Sequence, residues 1–352
     1  MPVLPHSRGP LTAVLFHELL ERPHRLPPIV LPDTSDPLAD EDVQLALYAL
    51  YELHYRGFEG VDERWEWEPS LLALRSVLED IFEGGLLTAI GPPDDEVRIA
   101  PEDMDVTLRG VADAKDAPSL SEHLERTGTR EQFREFAIHR SAYQLKEADP
   151  HSWAIPRLSG APKAALVEIQ SDEYGGGRPE RIHAQLFADA MTALGLDATY
   201  GAYLDVIPGV TLATVNLMSL MGLHRRWRGG IVGHLALFEM TSSLPNGRYA
   251  RGLRRLGLQE ATPFFDEHVE ADAVHENVAA VDLAGGLARA EPEIGPDILW
   301  GARCLVELEG RWTRHLLDSW AGGETSLRAP LDAARRGEAH ELVAAVAEGP
   351  DA

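Results

Sequence analysis

Apolar residues recur every three or four positions along most of this chain, and that period predicts helices. After Asp40 and Glu41 the run VQLALYALYELHYRGF carries the pattern, and residues 69–82 (PSLLALRSVLEDIF) repeat it. Residues 118–149 read as one helical stretch with a capping box from Ser119 to Glu122, stopped by Pro150. Further helices are predicted over 161–174, 178–194, 209–223, 225–243, 246–256, 262–284 and 295–322. Strand signals are scarce: there is no sustained alternation, and Asn246-Gly247 stands between helical patterns. The expected fold class is all-α.

Proline and glycine punctuate the rest. Residues 1–40, which include LPPIVLPDTSDPLADED, predict extended, loop-like chain. Residues 88–116 mix Gly, Pro and Asp clusters and select no element, while 325–352 predict a helix trailing into a frayed tail. The expected organisation is an N-terminal extension over 1–120, a helical domain over 121–325 and an acidic Ala/Glu-rich tail over 326–352.

Composition narrows the function. At 352 residues, 44% hydrophobic and 25% charged, the chain can bury a sizeable core. No apolar run approaches the roughly 20 residues that cross a bilayer, and MPVLPHSRGPLTAVLF does not read as a signal peptide, so the expected location is the cytoplasm. A lone cysteine, Cys304, excludes an intrachain disulfide and a Cys-based zinc or iron–sulfur site. A net charge of −25 argues against nucleic acid and anionic membranes. It leaves a small molecule as the expected partner, and the 32 basic residues suffice for a local pocket for an anion.

The candidate chemistry starts at EHVEADAVHE. His268, Asp272 and His275 stand at i, i+4 and i+7, within about 60° of one another on a helix. The plain alternative is a solvated acidic face. Phe264, Phe265, Val274, Val278 and Val281 instead turn part of that side inward. A di-metal site needs about six donors, which other helices must supply. Glu147 is expected to end the helix of HRSAYQLKEADP, just before the proline; ALVEIQSDEYGGGRPERIHAQLF offers Glu168, Asp172, Glu173, Glu180 and His183; and IVGHLALFEMTSS carries His234 and Glu239 in an apolar run, where an unpaired charge is costly. Glu173 and His183 are ten apart and roughly 80° out of phase on a regular helix, a mismatch that Gly175-Gly176-Gly177 can absorb. Glu180 competes, because Glu180-xx-His183 is the i, i+3 pair of ferritin-like di-iron bundles, as Asp272-xx-His275 also is.

The order of these spacings resembles the haem-oxygenase-like di-iron oxidases and oxygenases, the iron-containing redox enzymes. The matching features are His268-xxx-Asp272-xx-His275, Glu173 ten residues before His183, and Glu147 twenty-six residues before Glu173. They span roughly 130–325 and leave 1–120 uncovered. The resemblance implies a haem-oxygenase-like helical bundle. It implies two Fe(II) ions, with manganese as the substitute, held by Glu147, Glu173, His183, His268, Asp272 and His275, with Glu173 as the bridge. It also implies O2 as co-substrate, and oxidation of an amine nitrogen or cleavage or desaturation of an aliphatic or amino acid. Six N/O donors without thiolate suit iron or manganese better than structural zinc. Glu239 is left as a seventh donor, a hydrogen-bond acceptor behind a ligand histidine, or a pocket residue, and Tyr174 as a pocket residue beside the glycines; Glu173, Glu239 and Tyr174 form the expected catalytic set.

Other residues read blandly. His234 is expected to be structural, and Trp65 and Trp67 a packing patch. Glu52 and His54 face different ways. Arg225, Arg226 and Arg228 are a solvated basic helix start, with a bidentate grip on a substrate carboxylate as the sharper reading. The extension has two candidate roles, capping the pocket or mediating a homodimer. Two rival functions stand beside the di-iron oxidase: a metal-free or haem-binding protein of the same fold, and a non-catalytic binding protein.

Overall fold

The structure, a computed structural model, describes residues 1–94, 99–114 and 118–330, without the side chains of 272–274. Caps written in the sequence start many of its elements. Asp40 accepts from the amides of Asp42 and Val43, Glu68 from that of Leu71 and Ser119 from that of Glu122. The helices are α1 (Pro10–Leu19), α2 (Glu41–Glu52), α3 (Pro69–Ile90), α4 (Met104–Asp113), α5 (Leu120–Arg126), α6 (Arg130–Gln144), α7 (Asp149–Ser152), α8 (Gly160–Glu173), α9 (His183–Ala193), α10 (Gly209–Leu223), α11 (Arg228–Arg255), α12 (Pro263–Asn277), α13 (Gly285–Ala290) and α14 (Gly295–Ala321). A π-helical turn, Val278–Ala284, joins α12 to α13. No strand occurs among the described residues, as an all-α fold requires, and none of their helices is long and apolar enough to cross a membrane.

Helix α11 is the axis of the bundle. It packs against α14, α12, α5 and the π turn, while α10 lies beside α11 and α14 and carries α2 on its outer side. Helix α2 is buried on nearly every face, and α10 on every face but its last residue. One hydrophobic cluster therefore runs from Leu11 to Leu327.

Several boundaries differ from the sequence expectations for identifiable reasons. Helix α1 forms inside the proline-rich start because Pro10 occupies a first-turn position that needs no N–H. The carboxylate of Asp42, from the next helix, then accepts the amides of Leu11 and Thr12. The 118–149 stretch breaks at Thr127–Thr129, and the reciprocal capping box is Thr129 with Gln132 rather than Ser119 with Glu122. Helix α3 continues eight residues past 82, and α4 fills part of the unassigned 88–116 segment. The predicted 225–243 and 246–256 helices are one helix that runs through Pro245. The 178–194 helix starts only at His183, and the 262–284 helix changes to π geometry after Asn277. Residues 325–330 are not helical but fold back on the bundle, where Glu135 accepts from Thr325, Ser326 and Trp320; the rest of the expected tail lies outside the described residues.

The α11–α14 crossing brings backbone against backbone. A Cβ on Gly301 would lie 2.0 Å from the carbonyl oxygen of Gly230, and one on Gly233 would lie 1.8 Å from that of Ile298. No side chain can move aside to relieve those contacts. Gly301→Ala is expected to cost on the order of 3 kcal/mol or to prevent folding, measured by urea unfolding, because the helices must separate.

Burial also keeps three histidines neutral. His139 is pushed well below its ordinary value by burial and then by His315 and Arg140; burial pushes His151 the same way, with His234 adding to it; and burial alone takes His234 down to about 3. The unfolded chain binds protons at these sites below about pH 6.5 and the folded chain does not, so stability present above that pH is lost as pH falls. The melting temperature should drop between pH 6.5 and 5, and His139→Gln should make that drop shallower.

Candidate metal centre

Helix α6 stops at Gln144, so Glu147 lies in the turn beyond it rather than at its end. That turn contains Ala148 at φ 74°, the one non-glycine positive φ among the described residues. Such a conformation costs about 1–3 kcal/mol and persists only where the surroundings impose it. Three contacts do so. Arg56 donates to the carbonyl of Leu145 at 3.0 Å and Gln170 to that of Ala148 at 2.8 Å. Lys146 Nζ meets Glu52 Oε2 at 3.0 Å, with side chains 1% and 0% exposed. Tyr200 donates to the same Glu52 oxygen at 2.6 Å, and the Lys146 ammonium sits 4.2 Å from the Tyr55 ring centroid. Lys146 thus anchors one side of the turn while Glu147 faces the other way into the bundle.

Glu173 is the last residue of α8 and His183 the first of α9. Between them Gly175, Gly176 and Gly177 have φ of 70°, 59° and 80°. At Gly175 a Cβ would also press the backbone of Arg181 and Ile182 at 2.7 Å, so only glycine fits. The reversal brings His183 Nδ1 to 3.0 Å from Glu173 Oε2. Glu180 is left exposed on the loop. Both terminal residues oppose the helix dipoles, with a carboxylate at a C-terminus and an imidazole at an N-terminus.

Helix α12 supplies His268 and His275. His268 Nδ1 lies 2.8 Å from the carbonyl of Phe264 and donates to it, which turns Nε2 toward Glu147 Oε1 at 3.5 Å. His275 Nε2 donates to Asp172 Oδ2 at 3.0 Å, which leaves Nδ1 facing Glu239 Oε2 at 3.4 Å. In each ring one nitrogen is fixed by a partner and the other is aimed at carboxylates, the arrangement of metal-binding histidines. Asp272 lies between them on α12, and its side chain is outside the described residues.

Two groups result. Potential ligand atoms of Glu147, Glu173, His183 and His268 lie within 4.8 Å of one another, as do those of Glu173, Glu239 and His275. Every member is buried, and Glu173 belongs to both. A cavity of about 10 Å3 touches Glu147, Glu173, Glu239 and His268, with Tyr143, His151 and Phe238 in its wall. Burial pushes the carboxyl of Glu147 up, with His268 opposing. Burial acts likewise on Glu173, but His183, His268 and His275 outweigh it and hold that carboxyl below its usual value. His275 resists burial through Glu239 and Asp172, which raise it to about 9. Protons on imidazole therefore offset the carboxylates when no other cation does.

That compensation is incomplete. Glu147 Oε2, His183 Nδ1 and His275 Nδ1 are buried without a hydrogen-bond partner, although carboxylate oxygens stand near both histidine nitrogens. Buried polar atoms are normally paired. Orphans in both donor groups fit a metal ion in each, and carboxylate and imidazole donors without thiolate fit iron.

A family described as iron-containing redox enzyme matches residues 134–310. The chain belongs to that family. As an iron-containing redox enzyme it is an iron oxidoreductase of haem-oxygenase-like, all-α fold, and both groups lie inside the matched span. No curated protein matches the chain.

The remaining candidates are placed elsewhere. Tyr174 is 36% exposed and its hydroxyl is engaged by Ser152 and Asp149, so it joins neither group. Arg226 grips Glu83 bidentately and Arg228 pairs with Glu291, while Arg225 is exposed. His234 packs against His151 at 3.1 Å, Trp65 is buried, Trp67 is exposed, and Glu52 and His54 have separate partners. The sequence reading missed Tyr143 and the Lys146–Glu52 pair; Lys146 in a stretch of small and polar residues gave no sign of burial. Glu52→Gln leaves that ammonium buried without its counter-charge and should cost about 3–5 kcal/mol in chemical unfolding. Adding Lys146→Met should recover most of the loss.

Proposed function

We propose that this protein is a non-haem di-iron oxidoreductase that uses O2 to oxidise a small molecule. The observation that carries this reading is the pair of buried donor groups sharing Glu173. Glu147, His183 and His268 would hold one iron, Glu239 and His275 the other, and Glu173 would bridge them. Asp272, one turn after His268, is the further donor that the family resemblance implies. Iron bound there would supply one-electron chemistry and a place for O2 to be reduced.

The chain's own residues do the rest. The Phe264 carbonyl and Asp172 fix the orientation of His268 and His275. Tyr143, whose hydroxyl burial pushes well above its ordinary value and Glu147, Glu173 and Glu239 push further, keeps its proton on Oη at the cavity wall. Phe238 and Leu235 exclude bulk water from the same cavity. N-oxygenation of an amine and oxidative C–C cleavage or desaturation are the candidate outcomes. A space of about 10 Å3 has no room for a porphyrin at the cluster, which favours iron alone over the haem reading.

Anaerobic Fe(II) loading should give about two irons per chain, and O2 should then oxidise them rapidly in stopped flow. Glu239→Ala should lose one iron, and Glu173→Ala or His268→Ala should lose both or nearly so. Glu180→Ala should lose none. A Soret band on haem titration, or iron content indifferent to Glu173, would overturn the proposal.

A further inference from the structure

Beside the cluster lies a larger chamber of about 410 Å3, the size of a small-molecule site. It shares Phe238 and Ser242 with the small cavity among the carboxylates, so the two spaces meet at one turn of α11. Its walls are strongly aromatic: Phe136, Phe187, Tyr249, Phe264, Phe265 and Trp312 all face it.

Three arginines also line it, and their pairing differs. Arg140 is held bidentately by Glu309, at 2.8 and 2.6 Å, and lies 3.9 Å over Trp312. Arg109 pairs with Glu276 and donates to the carbonyl of Met240. Arg248 has only hydroxyls at hydrogen-bond distance, Ser119 Oγ at 3.2 Å and Ser121 Oγ at 3.4 Å. Its nearest carboxylate, Glu125, is 3.6 Å away and already accepts from Arg251 at 2.6 Å. Asp113 lines the chamber too but forms no ion pair with Arg248 among the described residues. Arg248 is therefore the wall's least compensated charge, flanked by two serine hydroxyls that lie 3.2 Å from each other, one donating to its neighbour and the other free to donate to a ligand.

Arg248 follows Glu239 by nine residues on α11, ~13 Å along the helix axis. The clamp thus lies along α11 from the turn, Phe238 to Ser242, at which the chamber meets the cluster. Resting on the di-iron reading for the chemistry at the cluster, we infer that the chamber binds an elongated carboxylic acid with an apolar, aromatic-compatible body. Its carboxylate sits on Arg248, Ser119 and Ser121, and its other end reaches Phe238 and Ser242 beside the metals. A guanidinium fork with two hydroxyls matches the two oxygens of a carboxylate. The aromatic walls take the body, and the distance keeps the carboxylate away from the irons.

The test uses 4-phenylbutyrate and its cationic counterpart 4-phenylbutylamine, titrated calorimetrically into metal-loaded and metal-free protein, with iron content measured on the same samples. The acid should bind on the order of 10–100-fold tighter than the amine. Arg248→Met should remove that preference, Arg248→Lys should keep part of it, and Arg64→Gln, whose pair with Asp62 lies outside the chamber wall, should leave it unchanged. Equal binding of acid and amine, or an Arg248→Met protein that binds the acid like the wild type, overturns the inference. If iron loads at about two per chain and the acid ignores Arg248, the chamber assignment fails alone; if iron does not load and the Arg248 dependence stands, the di-iron reading fails and the chamber remains.

Discussion

Three carboxylates buried in one small volume govern this structure. Glu147, Glu173 and Glu239 are each nearly sealed from water, and the desolvation of a carboxylate costs several kcal/mol unless a cation compensates it. His183 and His275, both raised by the carboxylates that face them, can do so by taking up protons, yet Glu147 Oε2 has no hydrogen-bond partner and the two imidazole nitrogens meet their carboxylates without hydrogen-bond geometry. Two of the donors also sit at the wrong helix ends, Glu173 where α8 presents its negative pole and His183 where α9 presents its positive one. Metal ions would complete the unpaired atoms, compensate the carboxylates, including the one at the α8 C-terminus, and let His183 serve as a neutral imidazole. Membership of the iron-containing redox enzyme family says which metal the protein's relatives use.

The scaffold spends structure on holding that arrangement. Ala148 is kept in a left-handed conformation by Arg56, Gln170 and the Lys146–Glu52 pair, and Glu147 points inward as a result. Arg56 and Glu52 belong to the N-terminal 120 residues, so a segment without a candidate ligand reaches the cluster through one turn of chain. The N-terminus is itself tied down, since Arg8 pairs with Glu41 and donates to the carbonyls of Leu204 and Ile207. On the opposite side, the glycine-to-backbone contacts of α11 and α14 fix the helix that carries Glu239, Ser242 and Arg248.

What the sequence disclosed follows the reach of each signal. His268 and His275 were legible because their spacing is a local property of one helix, and Glu239 because a charge inside an apolar run is conspicuous. The choice between Glu173 and Glu180 was not legible, since three glycines erase the helical phase between them and only the folded loop shows Glu180 exposed. Helix α1 hid in a proline-rich segment because its cap, Asp42, comes from another helix. The turn at Ala148 was invisible because alanine does not announce a positive φ. The chamber and its weakly compensated Arg248 arise from packing between distant helices, which no single stretch encodes.

The most direct measurement is an anomalous-scattering map from iron-loaded crystals, recorded on both sides of the iron edge. The account predicts two peaks about 3.5–4 Å apart, one among Glu147, His183 and His268, the other beside Glu239 and His275, with the carboxylate of Glu173 between them. A single peak, peaks on exposed acidic groups, or an iron-free cluster whose orphaned atoms have found protein partners would contradict it.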